Sequence, residues 1–331
     1  MEQNLLEFRD ICVDFPIDRG RLRAVDHVTL PLYAGEILGV VGESGSGKTT
    51  LASAALNIVS APGSITNGQV LYQGTDLLQL PPDESRQFNW QNVSMIFQAA
   101  QNALNPLLRI RDVFIETVRA HDPAMDQAEI LDKAAKLLSH VRLDAERVLK
   151  SYPHQLSGGM KQRTIIALSL ILDPSVLILD EPTTALDAIT QAYIMDILCD
   201  IHEELGISML LNTHDMALVG RISDRIAVMY AGQIVEMGQT DKIFSEPQHP
   251  YTAGLLCAMP SLTDDVTQRK AIPGSPPDLV NPPEGCRYHH RFAREQAGTC
   301  DCQSPELREV EQGHFVRCHF CVKKGEDCDG T

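Results

Sequence analysis

The segment Gly42-Glu43-Ser44-Gly45-Ser46-Gly47-Lys48-Thr49 constrains this chain more than any other feature. It fits G-x-x-x-x-G-K-[ST], a phosphate-binding pattern that works only between a strand and a helix. Both flanks are right. Ile37-Leu38-Gly39-Val40-Val41 reads as a buried parallel strand, and a helix is predicted from about Lys48 to Val59. The glycines let backbone N–H groups point inward at phosphates, and the helix N-terminus adds a field that favours anions. Gly42, Ser44, Gly45, Ser46, Gly47, Lys48, Thr49 and Thr50 are therefore the candidate nucleotide contacts. Lys48 is expected to reach the β- and γ-phosphates, and the Thr49 hydroxyl to bind Mg²⁺.

Two further segments belong with such a loop. Asp180-Glu181 ends the apolar strand Val176-Leu177-Ile178-Leu179. A carboxylate at a strand's C-terminal end can reach Mg²⁺, and a second beside it can polarise an attacking water. Leu156-Ser157-Gly158-Gly159-Met160-Lys161-Gln162-Arg163 opens a helix. Ser157 can cap it, and the paired glycines let an anion approach its N–H groups. One chain with two phosphate-seeking loops makes sense if the second serves another subunit's nucleotide.

Elsewhere the pattern alternates strands with helices. Short strands fill residues 5–41 and 68–72, the stretch from about 100 to 172 is helical, and strands recur at 176–179, 208–211 and 226–230 around a helix over 188–204. This predicts an α/β core with a largely parallel sheet. The 331 residues suffice for one such domain plus an appendage. The net charge of −16 argues against nucleic acid as a main partner, since an acidic surface repels phosphate backbones. No apolar run approaches a membrane span, and MEQNLLEFRD has no basic start followed by an apolar stretch. A cytoplasmic protein that docks on membranes is expected.

The order and spacing of these segments resemble the ATP-binding-cassette (ABC) transporter ATPases from about residue 5 to residue 240. LSGGxxQR is close to diagnostic. The resemblance implies a P-loop ABC ATPase core, mostly parallel with an antiparallel β-subdomain, and a helical subdomain near 99–160. It implies MgATP as the ligand, with Thr49, Gln98 and Asp180 around Mg²⁺. Glu181 matches the catalytic glutamate, His214 the switch histidine near the γ-phosphate, and Gln98 the Q-loop glutamine. Ala185-Leu186-Asp187 matches the D-loop, and Phe15 is the candidate for stacking on adenine. Ser157, Gly158, Gly159 and Asp187 would serve the interface with a second cassette. A soluble ABC ATPase acting on nucleic acid or ribosomes is the alternative; the single cassette, the absence of long heptads and the acidic charge weigh against it.

The tail narrows the resemblance. Residues 1–243 read as the cassette and 244–331 as an irregular, proline-rich extension. Pro247-Gln248-His249-Pro250-Tyr251-Thr252, Ile272-Pro273-Gly274-Ser275-Pro276-Pro277, Gly285-Cys286 and Arg317-Cys318-His319 are similar to the oligopeptide/dipeptide (Opp/Dpp-type) importer ATPases. That family implies a second, different ATPase subunit, two transmembrane permease subunits and an extracytoplasmic substrate-binding protein, with this chain peripheral on the cytoplasmic face of the membrane. Some members carry a [4Fe-4S] cluster in this extension. Six of the nine cysteines crowd here: Cys286, Cys300, Cys302, Cys318, Cys321 and Cys328. The family's second cysteine is replaced by Phe292. The expected metal ligands are Cys286, Cys300, Cys318 and Cys302, with Cys321 the alternative; Cys328 is a further thiol within reach in sequence. Iron–sulfur and zinc both suit four thiolates, and unligated thiols are the third option.

Overall fold

Period-2 apolar alternation builds a long hairpin from β1 (Asn4–Ile17) and β2 (Gly20–Tyr33). The alternation in β1 is only partial for a physical reason. Leu6 and Phe8 are buried, and so are Ile11 and Val13, one step out of phase. A bulge between Arg9 and Cys12 resets the register, with Asp10 at φ 54°. The opposing strand β4 (Ser64–Tyr72) accommodates it with Gly68, where an added Cβ would lie 2.4 Å from the Asp10 carbonyl oxygen. With β5 (Thr75–Asp76), these strands form an antiparallel sheet in the order β2-β1-β4-β5.

The computed structural model describes residues 4–184, 186–259, 272–292 and 298–321. Ala185 and Cys328, which the sequence reading named, lie outside them. The chain divides into two compact units. The first holds residues 4–32, 37–78 and the described residues from 212 onward. Besides the antiparallel sheet it contains β3 (Ile37–Val41), buried at every position, paired parallel to β9 (Arg225–Tyr230) with Val40 opposite Ala227. Continuous burial explains the apolar run of β3 and that of β9 after the half-buried Arg225. β10 (Gln233–Gln239) pairs antiparallel with β9. Helix α1 (Lys48–Ala55) buries Leu51, Ala52, Ala54 and Ala55. It stops short of the predicted Val59 because Asn57 turns left-handed, at φ 54°.

The extension is more regular than its composition suggests. Helix α10 (Pro250–Cys257) starts with proline at a position that needs no N–H. The short hairpin β11 (Arg308–Glu311) and β12 (His314–Val316) adds to the sheet edge, with Glu236 of β10 opposite Val316. Glu236 is completely buried there and fully partnered. It accepts from His314 Nε2 at 2.8 Å and from the backbone N–H groups of Gln248 and His249 at 2.7 and 2.9 Å. Strands of three and four residues carry too little alternation to be read from sequence.

The second unit holds residues 33–36 and 79–211. Here β6 (Val93–Ile96) pairs parallel with β7 (Val176–Asp180), and β8 (Ser208–Thr213), which begins in this unit, flanks β7. The helices are α2 (Pro82–Gln91), α3 (Ile110–His121), α4 (Gln127–His140), α5 (Ala145–Lys150), α6 (Gly158–Ser169) and α7 (Ala188–Leu205). α3 and α4 bury Ile110, Phe114, Val118, Ile130, Ala134 and Leu138, the three- and four-residue steps of amphipathic helices. Asp126 caps α4 by accepting from Ala128 N. Two small helices, α8 (Met216–Ile222) and α9 (Thr240–Ser245), complete the first unit. Among the described residues, no helix is long and apolar enough to cross a membrane.

Candidate nucleotide site

In the first unit, the 42–49 loop joins β3 to α1. Glycine is required at two points by close approach. A Cβ on Gly47 would meet the Ala24 carbonyl oxygen at 2.4 Å, and φ there is +106°. A Cβ on Gly42 would meet the Met229 carbonyl oxygen at 2.0 Å. Lys48 is buried and curls back over the loop. Its Nζ donates to the carbonyls of Gly42 at 2.7 Å and Glu43 at 3.0 Å and to Ser46 Oγ at 3.3 Å. These are weak neutral acceptors beside the anionic oxygens of a polyphosphate. Thr49, Ser44 and Gly45 are exposed, Thr50 is half-buried and Ser46 is buried.

The end of β8 meets this loop. Asn212 Nδ2 donates to the Lys48 carbonyl at 3.0 Å, which fixes the segment carrying His214. His214 is exposed, and Asp215 after it caps α8 by accepting from Ala217 N and Leu218 N. Phe15 is half-buried and has its ring against Gly63, where an added Cβ would come within 2.4 Å.

The second unit carries the carboxylates. Asp180 ends β7 and is 1% exposed, whereas Glu181 is half-buried. Glu181 sits at φ 48°, a left-handed conformation that costs a non-glycine residue about 1–2 kcal/mol. Such strain is often found at functional positions. Its Oε2 accepts from Gln98 Nε2 at 3.1 Å and from Thr184 Oγ1 at 2.8 Å. Gln98, two residues beyond β6, is thus in direct contact with Glu181.

Ser157, Gly158 and Gly159 form an exposed to half-buried loop at the start of α6, capped by Ser157 Oγ accepting from Met160 N at 3.3 Å. Neighbouring them are Leu186, 3.9 Å from a Cβ built on Gly158, and Thr190, 3.0 Å from one on Gly159. Asp187 caps α7 through Thr190 N at 3.0 Å and Thr190 Oγ1 at 2.7 Å, and that hydrogen bonding lowers its carboxyl pKa. The signature loop and the start of α7 are therefore neighbours.

The tail cysteines divide. Cys300 and Cys318 are buried, Cys286 and Cys321 half-buried, and Cys302 exposed. Cys286 N donates to the Cys300 carbonyl at 2.7 Å. Burial pushes the Cys318 thiol up to about 12, and the thiols of Cys286, Cys321 and Cys300 add to the rise. Cys302 is raised by its hydrogen bond to Asp301. Among the described residues, the tail thiols form no trio within 4.8 Å of one another. The trio that does lie so close is Cys12, Asp26 and His27. There Asp26 already pairs with Arg23, Arg287 and Gln233, cationic and donor neighbours that do not suit a metal ion.

A phosphate loop opening a helix, a strand ending in paired carboxylates and an LSGG helix start define an ABC-type ATPase. The pattern of ABC transporters matches residues 25–184, and that of the oligopeptide/dipeptide transporter C-terminal region matches residues 235–300. The chain is 41% identical over 318 residues to the dipeptide transport ATP-binding protein DppD of Caldanaerobacter subterraneus subsp. tengcongensis, covering 96% of this chain and 97% of that protein. It is 40% identical over 321 residues to the oligopeptide transport ATP-binding protein OppD of Salmonella typhimurium, covering 97% and 95%. Among solved structures, the dimeric ABC transporter cassette MJ0796 aligns with TM-score 0.63 at 28% identity, over 71% of this chain and 98% of that one. The same cassette in a post-hydrolysis dimer with ADP and Pi aligns with TM-score 0.62 at 29% identity, over 71% and 98%. The chain belongs to the family of oligopeptide and dipeptide transport ATP-binding proteins within the ABC transporter ATPases. The alternative of action on nucleic acid or ribosomes finds no support in these relatives.

Proposed function

We propose that this chain is the ATP-hydrolysing subunit of an importer that takes up peptides or related small solutes through two membrane permease subunits. The match of residues 235–300, beyond the cassette itself, to the C-terminal region of oligopeptide/dipeptide transporters carries this reading. A second, different ATPase subunit pairs with the chain, an extracytoplasmic binding protein delivers the solute, and this chain is peripheral on the cytoplasmic face.

In this reading the N–H groups of 42–49 and Lys48 hold the phosphates, and Phe15 stacks on adenine. Thr49 and Asp180, with Gln98, supply oxygen ligands for Mg²⁺, which offsets phosphate charge. Glu181 orients and polarises the attacking water, and His214 contacts the γ-phosphate. Ser157, Gly158 and Gly159 serve the nucleotide on the partner cassette, and Asp187 lies at that interface. The catalysis is positioning and electrostatics, as phosphoryl transfer requires. The test is the assembled complex in liposomes, supplied with its binding protein. Peptide uptake and peptide-stimulated ATP hydrolysis are expected; uptake of a sugar or metal with no response to any peptide would overturn the peptide reading.

The tail thiols fit a metal group as a donor set. For it we propose Cys286, Cys300, Cys318 and Cys321, in place of the exposed Cys302. A single zinc at about 2.3 Å from each sulfur needs thiolates about 4 Å apart. A [4Fe-4S] cluster also takes four thiolates, one on each iron, and is the group proposed. When bound it ties the extension together; zinc is the alternative.

A further inference from the structure

Arg291 closes the single helical turn His289–Arg291 of the extension, and its side chain is 4% exposed. Its two terminal nitrogens grip Glu43, the second residue of the phosphate loop: Nη1 donates to Oε2 at 2.7 Å and Nη2 to Oε1 at 3.0 Å. Nε donates to the Pro273 carbonyl at 2.6 Å. The guanidinium lies 5.7 and 5.9 Å from the ring centroids of Tyr230 and Tyr288. Glu43 is also held at its backbone, where its N–H donates to Tyr251 Oη at 2.9 Å. The Glu43 carbonyl accepts from Ser46 N at 3.2 Å and from Lys48 Nζ at 3.0 Å. A second arginine of the same segment braces the loop from another side. Arg287 Nη1 donates to the Ala231 carbonyl, and the next N–H, of Gly232, donates to Ser46 O at 2.8 Å.

A carboxylate inside a loop built to receive a polyanion works against its own ligand unless the charge is cancelled. A planar guanidinium fork both cancels that charge and fixes its direction, which an ammonium does less well. We propose that Arg291 is a positioning residue of the ATP site: it neutralises Glu43 and holds the phosphate loop from behind. This rests on reading residues 42–49 as the ATP phosphate site, and Lys48→Ala tests that reading separately.

The experiment measures ATP and ADP affinity of the full chain by titration calorimetry, with thermal melting to establish folding. Arg291→Met should raise the Kd for ATP roughly tenfold or more, since a uniform negative charge is left beside the phosphates. The rise should be larger for ATP than for ADP and smaller at high salt. In the assembled complex, KM should rise more than kcat falls. Arg291→Lys should be intermediate. Adding Glu43→Gln to Arg291→Met should restore most of the lost affinity, because the uncancelled charge is gone; a purely structural role for Arg291 would give no such rescue. Unchanged affinity in folded Arg291→Met, or a double variant as weak as Arg291→Met, overturns the proposal. If Arg291→Met does not fold, Arg291→Lys decides, and wild-type ATP affinity in that variant overturns it. If Lys48→Ala binds ATP normally, the reading of the loop fails, whatever Arg291 does.

Discussion

Replacing Glu181 by glutamine removes one negative charge and keeps the shape of the side chain. The amide oxygen can still accept from Thr184 Oγ1 and Gln98 Nε2, now 2.8 and 3.1 Å away. The left-handed backbone at φ 48° is as strained for glutamine as for glutamate. Folding stability should therefore change by less than about 1 kcal/mol, the weakening of two half-exposed hydrogen bonds from charged to neutral. The chemistry should suffer much more. A positioned base contributes about 10²–10⁴-fold to rate, or roughly 3–5 kcal/mol of transition-state stabilisation. Asp180 and the phosphate loop are untouched, so ATP binding should persist. The assay is single-turnover and steady-state hydrolysis by the assembled complex, with bound nucleotide counted after gel filtration. Slow turnover with ATP retained at stoichiometric occupancy is expected. Turnover within about threefold of the parent would refute the role of Glu181, because an orienting charge worth several kcal/mol cannot be lost so cheaply.

Lys48→Ala should weaken ATP binding by roughly 10–100-fold through loss of a charge-assisted contact, read by calorimetry; binding within a factor of two would contradict the phosphate role. Gly47→Ala places a Cβ 2.4 Å from the Ala24 carbonyl oxygen at φ +106°, and should destabilise the fold by about 2 kcal/mol or more in denaturant titration. His249 is fully buried, and burial lowers its pKa to about 4 against the weaker pull of Glu236. The unfolded chain takes up this proton near pH 6.5 and the folded chain only near 4. The contribution is therefore complete above about pH 6.5 and is lost on acidification at up to about 1.4 kcal/mol per pH unit. His249→Asn keeps an acceptor for Tyr251 N and should flatten stability between pH 7 and 5; an unchanged slope would rule out this histidine as its source. Anaerobic purification should yield iron and sulfide in stoichiometric amounts. Serine at Cys286, Cys300, Cys318 or Cys321 should abolish them while Cys302→Ser does not; loss at Cys302 instead would restore it as the fourth ligand.

The sequence by itself determined the chemistry-bearing loops, because each is a short local pattern whose backbone geometry depends on its own residues. The 42–49 loop, the carboxylates at the end of β7 and the capped LSGG start are legible in this way, and so are the long amphipathic helices and the buried strands β3, β7 and β9. Tertiary structure decided what depends on residues far apart in the chain. The bulge at Asp10 needs Gly68 across the sheet. The burial of Glu236 needs His314, seventy-eight residues later, and the hairpin β11–β12 shows too little pattern to be seen alone. The proposed preference for Cys321 over Cys302 rests on exposure, which sequence spacing does not carry. Arg291 reads as one more basic residue in a proline-rich tail; only folding brings it to Glu43, 248 positions earlier, because a buried guanidinium must find a carboxylate wherever the chain provides one.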